Sequence, residues 1–263
     1  MPRKLISIDL DGTIVFERKV DPDAVAAIRE WQAAGHLAVC NTGKSIAATK
    51  HALAESGLEF DYYVLYTGAV VTDSNYEVMM SNTLPNEVVS EIAYQLRDTD
   101  NLAVFATTLD TPDLRLSSTI DPSKSTSILQ TFEPLEFSEI PKHSFVGIPL
   151  WLDETDAKID ALREQILGSY PEVLDCHRNQ NFLDIVPPNC TKATGLEWLL
   201  PHLGGDNATT FETYSLGDSW NDLDMHHWAD HAICFPYSPA EVKAATEQVT
   251  PTAAEFIRKA LQS

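Results

Sequence analysis

The chain is poor in cysteine and in basic residues, and it lacks any long apolar run. Its four cysteines, Cys40, Cys176, Cys190 and Cys234, lie far apart and form no CxxC pair. That spacing argues against a compact zinc cluster and a disulfide scaffold. It points to buried thiols in a reducing compartment, so a cytoplasmic location is expected. No apolar stretch approaches the ~20 residues of a membrane-spanning helix. The opening Met1-Pro2-Arg3-Lys4 leads within a few residues to Asp9, too soon for the apolar segment of a secretory leader. Lysine and arginine number 18 against 39 acidic residues, a formal net charge of -21. Such a field disfavours nucleic acid and anionic membranes, and neither is expected as a partner. It would also repel an anionic substrate unless local cations offset it at the site.

What is present is enough to fold. With 263 residues, 44% of them hydrophobic, the chain can bury one large core, or a core with a smaller insert. Along the first third, strand and helix alternate. Residues 5–10 read as a strand, 21–34 as a helix with an aspartate cap and proline in its first turn, and 37–40 as a strand. Residues 45–56 then read as a helix and 62–66 as a strand. This alternation predicts βαβ crossovers and a parallel sheet.

The middle differs. A strand at 78–80, a helix at 87–97 and a strand at 102–106 precede a polar, proline-bearing stretch from 107 to 127. A strand at 144–150, a helix at 155–168 and strands at 172–176 and 182–186 follow. This pattern predicts an α+β insert with antiparallel pairing. The last third resumes the alternation, with a helix at 191–203, a strand at 214–216, a helix at 221–229 and a strand at 231–235. Helices near 239–246 and 252–261 end the chain. The fold class expected is α/β: a Rossmann-like, doubly wound parallel sheet with an inserted α+β cap domain. Residues 1–80 and 188–263 would form the core and 81–187 the cap.

Four places in the core halves put a polar motif directly after an apolar strand. Asp9 and Asp11 are two apart on an extended segment, so they point to one side just before Gly12 lets the backbone turn. Two acids at a strand's carboxyl end can hold a divalent cation or divide nucleophile and acid/base roles, though a solvated turn is also possible. Asn41-Thr42-Gly43-Lys44 offers a hydroxyl and backbone amides at a helix start, either an anion site or an ordinary cap. Lys192 in the first turn of a helix opposes the macrodipole, so an anionic partner would explain its place better than solvent. Gly217-Asp218-Ser219-Trp220-Asn221-Asp222 clusters acids after another strand, suited to a hard cation or to capping the next helix. His226, His227 and His231 also cluster, but without a third ligand at a strand end they are not expected to hold zinc.

In order and type, these four motifs resemble those of the haloacid dehalogenase-like (HAD) superfamily. The insert resembles the class IIB cap of its Cof-type sugar phosphatases and their sucrose- and trehalose-phosphate relatives. The segments Leu183-Asp184-Ile185-Val186-Pro187 and Lys192-Ala193-Thr194-Gly195-Leu196 are similar to that group's cap exit, and Thr67-Gly68-Ala69 resembles its NGA turn. The resemblance implies a Mg²⁺-dependent phosphatase acting on a small organic phosphate monoester, a sugar phosphate or phosphorylated sugar acid, through an aspartyl-phosphate intermediate. By that resemblance Asp9 would be the nucleophile and Asp11 the acid/base. Asp9, the backbone carbonyl of Asp11 and Asp218 would hold the metal, with Asp222 in support.

Thr42, the Gly43 amide and Lys192 would bind the phosphoryl oxygens, and Asn221 would orient Lys192 or the phosphate. Lys44, His177, Arg178, Asn179 and Asn181 are candidate contacts to the rest of the substrate. Lys44 stands where Cof-type members usually carry arginine, and Thr67 where they carry asparagine. A phosphomutase using the same aspartates, and a non-catalytic phosphate sensor, remain alternatives. The expected partner is a small-molecule phosphate ester, bound by a monomer or homodimer.

Overall fold

Leu5, Ile6 and Ile8 alternate across a strand whose two sides are both covered, which is why the run carries hardly a polar residue. The computed structural model describes residues 3–121, 132–203 and 211–262. In it this run is β1 (Arg3–Ile8), followed by a short hairpin, β2 (Val15–Phe16) and β3 (Lys19–Val20). Then come α1 (Pro22–Ala33), β4 (Leu37–Asn41), α2 (Ile46–Leu53), β5 (Tyr62–Leu65), β6 (Val70–Asp73) and β7 (Val78–Ser81). The side chain of Asp21 accepts the amide of Asp23 and Pro22 occupies the first turn, so α1 starts where its capping residues dictate.

The middle of the chain forms α3 (Asn86–Leu96), β8 (Leu102–Thr108), β9 (Leu114–Ser118), β10 (Glu133–Pro134), a 3-10 segment (Phe137–Lys142) and β11 (Phe145–Leu152). It continues with α4 (Asp156–Ser169), β12 (Asp175–Asn179) and β13 (Phe182–Val186). The last part contains α5 (Lys192–His202), β14 (Phe211–Leu216), a 3-10 turn (Trp220–Asp222) and α6 (Leu223–Trp228). It ends with β15 (His231–Cys234), α7 (Ala240–Ala244), β16 (Gln248–Val249) and α8 (Ala253–Leu261). Among the described residues no helix is long and apolar enough to cross a membrane.

Two compact units result: Met1–Met80 with Thr191–Ser263, and Ser81–Cys190 between them. The first is built on a sheet ordered β16-β15-β14-β1-β4-β5-β6-β7. Its central strands are parallel, with β1 between β4 and β14. Leu5, Leu37, Val39 and Val64 face Leu196 and Leu199 of α5 and Met225 of α6. On the other side, Trp31 of α1 packs edge-on against Tyr214, which also meets Phe256 of α8. Burial of each such side chain is worth roughly 1.5–3 kcal/mol, so the sheet is held from two sides.

The sheet is not wholly parallel as expected: β6 runs antiparallel to β5. The reversal is made at Thr67-Gly68-Ala69, where Gly68 has φ +87° and its Cα lies hard against the backbone of Thr191. Four residues of β6, too short for a periodicity to show, were hidden by that turn.

The inserted unit has its own sheet, ordered β10-β9-β8-β11-β13-β12, with antiparallel pairing except between β9 and β10. Val89, Ile92 and Leu96 of α3, and Ile159 and Ile166 of α4, share one apolar cluster with Val104, Ile148, Leu150 and Ile185 of the strands. Strand β9 lies inside the polar stretch that reads as loop; Leu116 is its one buried side chain, so the alternation is faint. Residues 122–127 of that stretch lie outside the described residues. The strand expected at 172–176 begins later, at Asp175, because Glu172 takes φ +62° in a turn.

At Gly68, an added Cβ would lie 1.9 Å from the carbonyl oxygen of Thr191. Gly68→Ala is expected to lower stability by at least about 2 kcal/mol, from left-handed strain plus this collision, read as a lower urea midpoint.

Candidate active site

The chain lays strands outward from β1 on one side, then returns after the insert and lays β14, β15 and β16 on the other. At such a reversal the connections leave in opposite directions and open a crevice at the carboxyl ends of the strands. Asp9 follows β1 and Asp218 lies two residues past β14, so both fall at this crevice. The Asp9 amide still donates to Leu216 O at 2.9 Å, which carries the ladder one residue beyond the strand and fixes the Asp9 backbone.

Lys192 opens α5, whose cap is a reciprocal pair between Thr191 and Thr194. Its side chain has no exposed surface, and Nζ lies 2.5 Å from Asp9 Oδ1 and 2.5 Å from Asp222 Oδ1. The other oxygen of Asp222 accepts the amides of Asp218 and Ser219, each at 2.9 Å. Asp222 thus ties the lysine to the loop that carries Asp218. From below, the buried Asn41 donates to the carbonyl of Lys192 at 3.0 Å and to Ser7 Oγ at 3.1 Å. Sequence reasoning missed this anchoring. Its signal was parity, since Ser7 and Asn41 are polar residues on the same sheet face as Asp9 in otherwise apolar strands.

Asp9, Asp218 and Asp222 each offer an oxygen, and these atoms lie within 4.8 Å of one another. Burial raises the Asp9 carboxyl well above its ordinary value despite the pull of Lys192, with Asp222 and Asp11 adding to the rise. Burial and the Asp222 charge push Asp218 up to about 7. Burial alone would lower Lys192, yet Asp222 and Asp9 hold it above its usual value. Three carboxylates around one ammonium leave an excess of negative charge, and the donors are all oxygens. That set fits a hard divalent cation.

The Asp11 carboxylate stands apart from this cluster, half-exposed and paired with Lys44 at 2.6 Å. Thr42 is buried, its hydroxyl accepting the Lys44 amide at 3.3 Å, with Gly43 between them. Thr13 Oγ1 reaches Asp218 Oδ1 at 3.5 Å. Asn221 lies in the 3-10 turn Trp220–Asp222, and no hydrogen bond joins it to Lys192 among the described residues. Lys192 is instead oriented by Asp9, Asp222 and Asn41.

The remaining candidates sit on the β12–β13 hairpin and are held within the inserted unit. Arg178 pairs with Asp156 at 2.6 Å and Asp160 at 2.5 Å, His177 Nε2 meets Cys190 O at 2.8 Å, and Asn181 donates to Leu152 O at 2.8 Å. Asn179 ends β12. These partners give Arg178 and Asn181 structural work that the sequence did not reveal.

The sequence profile of haloacid dehalogenase-like hydrolases matches residues 6–256. The chain belongs to this family. A Bacillus subtilis (strain 168) relative, named "Putative phosphatase YxeH", is 28% identical over 259 residues, covering 92% of this chain and 90% of its own. The 5-amino-6-(5-phospho-D-ribitylamino)uracil phosphatase YcsE of the same organism is 23% identical, covering 95% and 90%. The HAD subclass IIB sugar phosphatase BT4131 superposes with a TM-score of 0.80 at 20% identity, over 98% of each chain, which shows the shared fold. The chain is thus an enzyme of the HAD hydrolase class, the two relatives above are named phosphatases, and its fold is an α/β core with an inserted α+β unit.

Beneath this HAD site, His226 is 2% exposed and its Nδ1 lies 2.9 Å from Ser215 Oγ. Burial lowers the imidazole to about 4. The unfolded chain therefore takes up this proton near pH 6.5 while the folded one does not, and stability falls as pH drops from about 6.5 towards 4. Between pH 7.5 and pH 5 the group accounts for a loss of about 2 kcal/mol. His226→Gln is expected to remove about that much of the pH dependence, measured by urea unfolding at the two pH values.

Proposed function

We propose that this hydrolase is a Mg²⁺-dependent phosphatase of small organic phosphate monoesters, a sugar phosphate or phosphorylated sugar acid, working through an aspartyl-phosphate on Asp9. The observation that carries the reading is the buried Asp9 carboxylate, held at one oxygen by Lys192, beside Asp218 and two residues before a half-exposed Asp11. The unit containing β1 and β14 would carry the chemistry, and the inserted unit would serve as the cap that selects the leaving group. The buried, unpaired cysteines support a cytoplasmic setting.

Asp9 attacks phosphorus with the oxygen that Lys192 does not hold, and the P–O bond to the leaving group breaks. Asp11 in its protonated form gives its proton to the leaving oxygen, and as the carboxylate then takes one from the water that hydrolyses the acyl phosphate. Lys192, the Thr42 hydroxyl and the Gly43 amide bind phosphoryl oxygens and offset their charge. Asp222 holds Lys192 and the Asp218 loop in place throughout. Held by Asp9, the Asp11 carbonyl and Asp218, Mg²⁺ would supply positive charge against the phosphoryl oxygens. The Lys44 ion pair keeps the Asp11 carboxylate near the crevice and brings a second cation close to the incoming ester.

Release of inorganic phosphate from p-nitrophenyl phosphate and a panel of phosphorylated sugars and sugar acids tests the reading. Asp9→Asn is expected to lower kcat by at least about 10³-fold with the fold retained, and unchanged turnover would sink the assignment. A chelator should abolish activity and added Mg²⁺ restore it. Because Asp218 keeps a proton up to about pH 7, the apparent Mg²⁺ affinity should weaken as pH falls below that value, by up to about tenfold per unit. Titrations of activity against Mg²⁺ between pH 5.5 and 8 would show it.

A further inference from the structure

Gly12 lies between the Asp218 carboxylate and a tyrosine that the catalytic roles above leave unexplained. Its φ is +77°, and a Cβ there would come 2.6 Å from the Asp218 carboxylate, so one side of the residue is closed. On the other side its carbonyl accepts the hydroxyl of Tyr237 at 2.6 Å. Tyr237 is 225 residues away in sequence, on the turn after β15. That turn is well defined: Ser238 Oγ accepts the Phe235 amide at 3.1 Å, and the Ser238 amide donates to Phe235 O at 3.0 Å.

The ring of Tyr237 stacks on Phe235 at 5.4 Å, with planes 4° apart. It meets Phe16 edge-on at 6.3 Å, at the start of the β2–β3 hairpin. Tyr237 and Phe16 are nevertheless 53% and 43% exposed, and among the described residues their ring contacts are to one another and, for Tyr237, to Phe235. Packing alone is therefore a weak reason for a tyrosine here. Its hydroxyl has a defined task.

The task concerns Asp11. Within the loop, Leu10 O accepts the amides of Thr13, Ile14 and Val15, and the Gly12 amide donates to Val15 O. These bonds close the turn on itself. Two side chains reach from it to the rest of the crevice, Asp11 to Lys44 at 2.6 Å and Thr13 to Asp218 at 3.5 Å. The Tyr237 hydroxyl instead holds the loop's backbone, at the residue next to Asp11. We propose that Tyr237 is a positioning residue that fixes the Asp11–Gly12 loop, and with it the carboxyl that protonates the leaving oxygen. This rests on the acid/base role proposed for Asp11.

Tyr237→Phe keeps the ring and its stacking while deleting the hydroxyl, and the melting temperature should stay close to that of the wild type. An ester with a poor leaving group needs the proton from Asp11, whereas p-nitrophenolate leaves without much help. Hydrolysis of the acyl phosphate is common to both esters, so the readout is the first step: the single-turnover rate of alcohol release should fall about tenfold or more with an alkyl phosphate, and that of p-nitrophenolate release less than about threefold. Equal losses on the two esters, or no loss, would overturn the proposal. Amide hydrogen exchange over residues 11–16 should also quicken in the variant, and unchanged exchange overturns the clamp whatever the activity. A wild type that hydrolyses neither ester, or an Asp9→Asn variant that retains turnover, strikes the phosphatase reading instead.

Discussion

An ammonium with no exposed surface survives only if negative charge replaces its water. At Lys192 that charge comes from Asp9 on one side and Asp222 on the other. Breaking such a buried set by removing one partner costs several kcal/mol, because it strands an unpaired charge. The arrangement joins three distant parts of the chain: the end of β1, the start of α5 and the turn after β14. Each of them carries a group proposed for the chemistry, so the ion pairs that stabilise the crevice also set its geometry.

The sheet order makes this convergence possible. Strand β1 lies between β4 and β14, and the chain leaves β1 in one direction and returns on the other side after the insert. Asp9 and Asp218 therefore come from neighbouring strands though 209 residue positions separate them by number. The helix bearing Lys192 packs on the sheet face to which Leu5, Val39 and Val64 point. Ser7, Asp9 and Asn41 share that face by the two-residue period of a strand. Apolar side chains thus set the helix against the sheet, and the polar residues at the strand ends meet Lys192 as a consequence.

Much of this was legible in the sequence because it depends on local patterns. The alternation of apolar runs and capped helices marked the parallel core, and DLDGT, Lys192 and GDSWND stood at element boundaries where chemistry collects. What was not legible depends on long-range contact or on very short elements. The hairpin at Val15–Val20 offers two residues per strand, and β6 offers four after a glycine turn. No periodicity emerges over such lengths. The roles of Asn41 and Tyr237 lie in hydrogen bonds to residues 151 and 225 positions away. Arg178 and Asn181, read as substrate contacts, are engaged by Asp156, Asp160 and a backbone carbonyl, partners that only the folded hairpin brings near.

The net charge of -21 sets the final constraint. A phosphate ester approaching an acidic chain meets a repulsive field, and the crevice itself holds more carboxylates than ammonium groups. Lys192 cannot by itself reverse this, since Asp9 and Asp222 already take up its charge. Lys44 is likewise engaged by Asp11. The proteinaceous part of the site is therefore electrostatically incomplete for binding an anion. Burial first, and the neighbouring carboxylates after it, raise the carboxyls of Asp9 and Asp218, so protons are held where positive charge is wanting. A divalent cation among these oxygens would relieve both the carboxylate crowding and the repulsion of a phosphate ester. That common remedy is the strongest physical reason to couple metal binding to phosphate binding in this chain.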